Sequence, residues 1–216
     1  MKIHIITLFP ETFDAYFMTS IMWKASQKGL FELCLYKLND FSENSSWRVD
    51  DKAYGMHGQV ISALPLSKAI EHIFTLIGKK VPIVYMSPSG DLLTQEKVET
   101  YYATFQEWII ICGHYEGIDQ RIIDMYDTLQ LSIWEYVISS WELAASVFID
   151  AIVRHIPGVL WNERSLEEES FSVYFGRQKE HPVYTRPESF LWRNVPEILL
   201  SWHHAQIEKW KQAHVR

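Results

Sequence analysis

Two stretches carry residues whose types and spacing could do chemistry. The first is Gly113-His114-Tyr115-Glu116-Gly117, directly after the apolar run 109–112. A run of that kind suits a buried strand, so these five residues sit at a strand's C-terminal edge, where open α/β sheets bind ligands. An aromatic, an acid and two glycines in five positions exceed what a plain strand-to-helix turn with a cap requires. The second stretch is the polar, irregular segment 39–59, which gathers Arg48, Asp50, Asp51, Tyr54, Gly55 and Gly58. A loop of that length inside a compact domain is usually functional or disordered, and its content favours function. Cys34 and Cys112 both lie in apolar strand-like runs, so neither a disulfide framework nor a cysteine metal site is expected. The histidines lack the paired spacing of a zinc site, and His203 and His204 are adjacent, so no metal-ligating set is expected.

The elements that must position these residues alternate. Apolar periodicity predicts strands over 2–8, 31–38, 81–86, 108–112 and 128–133. It predicts helices over 19–28, 65–77, 94–102, 118–125 and 142–155, with Gly29 and Gly78 as stops and Thr94 as an N-cap. Ser87-Pro88-Ser89-Gly90 reads as a turn closing the third strand. Strand and helix in alternation predict an α/β protein with a parallel sheet. From 161 to 190 the pattern lapses into acids, glycine, prolines and aromatics without a period, as in a linker that orders against a partner. A final helix is predicted over 196–214.

With 48% hydrophobic and 22% charged residues the chain reads as globular. No apolar run approaches the ~20 residues of a membrane span. The opening MKIHIITLFPETF has acids and a proline where a signal peptide would stay apolar, so a cytoplasmic protein without a membrane partner is expected. The net charge of −7 argues mildly against a nucleic-acid partner. Its distribution softens that argument. Residues 151–216 hold nine Lys and Arg against eight Asp and Glu, so the acidic excess lies wholly in 1–150.

Several stretches together resemble one family, the bacterial tRNA (guanine-N1)-methyltransferases of the SPOUT trefoil-knot class. They are ITLFPETF, RVDDKAYG, YMSPSG, ICGHYEGIDQRI, SIWEYVISSWELAA, DAIVRHIPGVL, ESF and YTRPESF followed by VPEILLSWHHAQI, in order from residue 5 to residue 207. The resemblance implies a SPOUT trefoil-knot methyltransferase domain with a parallel sheet over 1–158. It implies an interdomain linker over 159–190 that orders with tRNA or the dimer partner, and a small, truncated helical C-terminal tRNA-binding domain over 191–216. It further implies a homodimer that methylates N1 of the guanosine immediately 3′ of the anticodon, with S-adenosyl-L-methionine as donor. Magnesium is carried over from the family, although no ligand spacing for it is visible.

By motif match the catalytic pair is Arg154 and Glu169, the latter where the family usually has Asp. The cofactor would lie against Tyr85, Ser87, Pro88, Gly90, Gly113, Tyr115, Glu116, Gly117, Ile133, Trp134, Tyr136, Ile138, Ser140 and Trp141. The tRNA would meet Arg48, Asp50, Tyr54, Ser170, Arg186 and His204. Read without the family, Arg154 is an ordinary cation at a helix C-terminus, and Glu169 is part of the acidic run Glu167-Glu168-Glu169.

The departures from the family fall in the segment 172–183, longer than usual and without the family's Leu-Leu-Asp, and at glycines. Gly55-Met56-His57-Gly58 replaces the family's run of three, and Trp23, Trp134, Trp141, Trp161 and Trp202 stand at family glycine positions, with Trp192 a sixth candidate. A tryptophan brings roughly 150–250 Å² of side-chain surface. Gly-to-Trp changes at so many motif positions suggest glycines encoded by UGA, a codon that different genetic codes read as either residue; if Trp134 and Trp141 in the cofactor motif are tryptophan, weak or absent S-adenosylmethionine binding is expected. Two alternatives therefore stand beside the enzyme: a catalytically silent tRNA-binding homologue, and a SPOUT methyltransferase with another RNA substrate.

Overall fold

The chain opens with strand β1 (Lys2–Thr7), a short helix α1 (Asp14–Phe17), helix α2 (Ser20–Gln27) and strand β2 (Glu32–Lys37). Strands β3 (Asp50–Lys52) and β4 (Gln59–Ile61) form a small antiparallel hairpin inside the segment expected to be irregular. Helix α3 (Ala63–Ile77), strand β5 (Ile83–Leu92), helix α4 (Gln95–Thr104), strand β6 (Glu107–Ile111), helix α5 (Gln120–Met125), strand β7 (Leu129–Ser132) and helix α6 (Trp141–Val153) then alternate. This computed structural model describes residues 1–55 and 57–216, without the side chains of Glu163 and Arg164; Met56, part of the glycine-run departure, lies outside the described residues.

The protein is a mixed α/β molecule around a central parallel sheet of order β2-β1-β6-β5-β7. A parallel sheet covered on both faces needs apolar residues at successive positions. Ile3, Ile5, Trp108 and Ile110 enter one core with α6, while Ile6, Ile109 and Ile111 enter the other with α3 and α5. Helix α3 ends where the sequence predicts, with Gly78 in the left-handed region at φ +70°. Thr94 caps α4 by accepting from the Lys97 N–H at 3.3 Å.

Two elements differ from the sequence-based expectation. Ser87-Pro88-Ser89-Gly90 does not end β5: Met86 and Asp91 both pair with Leu131, so these four residues bow out and the strand resumes. Gly90 makes this possible, because a Cβ there would lie 2.5 Å from backbone atoms of Gln130 and Leu131. The helix expected over 196–214 is two helices, α7 (Glu197–Leu200) and α8 (His204–Ala213). The break falls at Trp202, whose φ of +59° no right-handed helix accommodates.

The described residues form two compact units, Met1–Leu160 and Trp161–Arg216. The second contains a 3-10 turn (Glu163–Leu166), α7, α8 and a hairpin of β8 (Ser189–Phe190) and β9 (Arg193–Asn194). Within it Phe175 meets His181 edge to face, His181 packs on Trp210, and Lys211 pairs with Glu168 at 3.0 Å. Among the described residues no helix is long and apolar enough to cross a membrane.

Phe148 on α6 is 2% exposed and packs edge-on against Trp108 and Tyr101. Phe148→Ala is expected to lower the unfolding free energy by about 3–5 kcal/mol, read from the urea midpoint; a change below about 1 kcal/mol would contradict this packing.

Candidate functional site

The parallel strands deliver three chain segments to one edge of the sheet, and a single carboxylate ties them. Glu142, in the first turn of α6, is 1% exposed. It accepts from Thr7 Oγ1 at the end of β1 (2.6 Å) and from Ser140 Oγ before α6 (3.1 Å), and it meets His114 Nε2 after β6 at 2.9 and 3.1 Å. Burial pushes its carboxyl up, but the hydrogen bonds from His114 and Thr7 outweigh this and leave it below the ordinary glutamate range. An acid within the apolar run ELAASVFIDAIV is the signal that could have singled out Glu142 from the sequence. Its partner Thr7, 135 positions away, carried none.

Beside this hub lies a small pocket. Of the residues expected around a cofactor, Ser87, Pro88, Ile133, Tyr136, Ile138 and Trp141 line it, together with Leu131, Ser132 and Ala144. Ser140 stands at its edge as the N-cap of α6, accepting from the Leu143 N–H at 3.4 Å. Tyr85 does not line it but stacks on Trp141, which does; burial pushes the phenol up to about 12, so it stays neutral. Gly113 and Gly117 are held against it, since a Cβ would lie 2.8 Å from Tyr85 Cε2 at the first and 3.2 Å from Tyr85 Oη at the second. Trp134 is half exposed, and its carbonyl accepts from Ser132 Oγ at 2.7 Å.

The backbone therefore has the close approaches a nucleoside cradle uses, but the space is taken. Trp141 stacks on Tyr85 with ring centroids 5.6 Å apart and planes at 19°. The cavity left is about 20 Å³, against roughly 300–1,000 Å³ for a small-molecule site. With Trp141 seated there, the pocket does not fit S-adenosylmethionine.

The other expected cofactor residues face elsewhere. Tyr115, in the left-handed region at φ +59°, lines a groove of about 740 Å³ with Phe9, Glu11, Trp47, Arg48 and Asp50. Arg48 reaches Asp50 at 3.1 Å, so two residues expected at tRNA pair with each other. Glu116 lies over Gly58, where a Cβ would stand 2.5 Å from its Cγ, and its N–H donates to the Gln59 carbonyl at 3.0 Å. Tyr54 is fully exposed, on a second groove with Lys52 and Arg121.

Arg154 is the C-cap of α6, its N–H donating to the Asp150 carbonyl at 3.1 Å. In the second unit the Glu169 carbonyl accepts from the Ser172 N–H at 3.1 Å, and Ser170 Oγ accepts from the Glu180 N–H at 3.1 Å. Arg186 and His204 line one groove of about 690 Å³ with Tyr184, Glu188 and Trp202. Burial raises the Cys112 thiol well above its usual value, which removes it as a nucleophile. Among the described residues no group of three or more His, Cys, Asp or Glu is placed to hold a metal ion.

Comparison with known proteins covers the whole chain. Residues 1–216 match the family model described as tRNA (Guanine-1)-methyltransferase TrmD. A tRNA (guanine-N(1)-)-methyltransferase of Clostridioides difficile is 42% identical over 98% of this chain and 91% of its own. One from Borreliella burgdorferi is 44% identical over 100% and 88%. The crystal structure of the tRNA (m1G37) methyltransferase from Aquifex aeolicus superposes with a TM-score of 0.78 at 32% identity, covering 99% of this chain and 88% of that one.

A carboxyl held low in the folded state stabilises it fully above the unfolded pKa, and the contribution is lost as pH falls through the folded value. Stability is therefore expected to decline below about pH 4.3, the free glutamate value, partly through Glu142. Glu142→Gln should make that acid limb shallower in urea titrations across the range; an unchanged limb would remove Glu142 from this role.

Proposed function

The chain belongs to the tRNA (guanine-1)-methyltransferase family, and from that membership we propose that it methylates N1 of the guanosine immediately 3′ of the anticodon of tRNA, with S-adenosyl-L-methionine as donor. The observation that carries the reading is the convergence of the bowed segment of β5 and the segments after β6 and β7 on one edge of the parallel sheet. They meet there around Gly90, Gly113 and the Glu142 hub. The reading includes the trefoil knot of the SPOUT class, a homodimer, a cytoplasmic setting and the family's magnesium dependence.

Guanine N1 carries a proton and is a poor nucleophile at neutral pH. A base must take that proton while a cation stabilises the charge developing on O6. Glu169 is assigned the base and Arg154 the cation. Glutamate in place of the family's aspartate keeps the chemistry but lengthens the arm by one methylene, and a misplacement of ~1 Å can cost about a hundredfold. Arg186 and His204, sharing one groove, are assigned to tRNA. A guanidinium suits phosphate oxygens or a guanine edge. The Arg48 and Asp50 pair, with Tyr54, Ser170 and Tyr115, supplies further polar contacts for RNA.

The second reading, a silent tRNA-binding homologue, is favoured by one observation, the Trp141 ring stacked on Tyr85 in the pocket. One experiment separates the two. The protein purified from its source cells is incubated with labelled methyl donor and tRNA transcripts bearing G or A next to the anticodon. Transfer to the G transcript alone is expected, and Arg154→Ala or Glu169→Gln should lower kcat by about 10²–10³-fold. Binding of both transcripts without transfer would establish the silent homologue, and equal transfer to both would point to another RNA substrate.

A further inference from the structure

Two tryptophans occupy places whose backbone or space is suited to glycine, each by a separate physical criterion. Trp141 is a matter of space. Its ring lies against Tyr85 beside the pocket lined by Ser87, Pro88, Ile133 and Tyr136, where about 20 Å³ remains. Trp202 is a matter of φ. It sits at +59° between α7 and α8 and is 86% exposed, so no packing compensates the left-handed backbone.

Trp108 and Trp210 sit in ordinary surroundings, Trp108 at 1% exposure in the core and Trp210 stacked on His214 at 4.2 Å, while Trp47 shares a positive φ of +60°. Both misfits, 141 and 202, are also positions where the resemblance expects glycine.

We infer that positions 141 and 202 are glycine in the protein made by its own cells, encoded by UGA. This codon differs from the glycine codon GGA and from the tryptophan codon UGG by one base each, and different genetic codes read it as either residue. Glycine at 141 removes the ring from the pocket and opens the face of Tyr85. Glycine at 202 releases the left-handed junction from a bulky side chain. The consequence for the pocket rests on the donor assignment proposed above.

Three readouts test it without using activity. The coding sequence should carry UGA at 141 and 202, and peptide masses from the native protein should carry glycine there. UGG at these codons, or tryptophan in the native peptides, overturns the inference. In calorimetry, Trp141→Gly should bind S-adenosylmethionine at least about a hundredfold more tightly than the chain with Trp141, the scale of relieving one overpacked side chain. Equal, measurable binding by both chains also overturns it, since Trp141 would then not obstruct the pocket. UGA codons and native glycine with no binding by either chain uphold the identity of the residue and instead overturn the donor assignment.

Discussion

A buried carboxylate cannot be left without donors, and Glu142 sets the order of the sheet's functional edge through that requirement. Taking an isolated carboxylate out of water costs several kcal/mol, so the groups that meet it must arrive together. Here they come from the end of β1, the loop after β6 and the residue before α6. Once Thr7, His114 and Ser140 are on one carboxylate, the loop from Gly113 to Gly117 and the start of α6 have fixed positions. The pocket lies at the start of α6, lined by the bow of β5 and the segment from the end of β7 onward.

The elements that depend on local periodicity were legible in the sequence. The apolar run ending at Ile111 and the alternation of Ile3, Ile5 and Ile6 between two faces gave the strands and their burial on both sides. Gly78 and Thr94 gave helix ends, because their roles need only neighbouring residues. The excursion at Ser87 to Gly90 was not legible. Proline and glycine mark a bend equally well whether a strand ends or resumes, and only pairing with Leu131 distinguishes the two. The break at Trp202 was hidden for the opposite reason, since tryptophan gives no sign of a left-handed residue and the apolar spacing runs on through it.

The site was legible in part, through motif rather than geometry. Ser87, Pro88, Ile133, Tyr136, Ile138 and Trp141 are 54 positions apart at the extremes, yet they line one pocket. The motif grouped Tyr115 and Glu116 with them, whereas their side chains turn toward the groove of Arg48 and toward Gly58. Tyr115 takes a left-handed φ of +59° within that loop, a conformation its residue type does not announce. Arg154 and Glu169 stand in different units, so their assignment rests on motif alone.

The bowed segment of β5 has a consequence for heredity. Both of its feet, Met86 and Asp91, stand on Leu131, so the four residues between them leave the ladder and carry no register of their own. Surface loops commonly tolerate changes of length and sequence. Gly90 is the exception here, since a Cβ there would lie 2.5 Å from the backbone of Gln130 and Leu131, so among descendants of this gene the segment should vary in spelling while keeping its glycine.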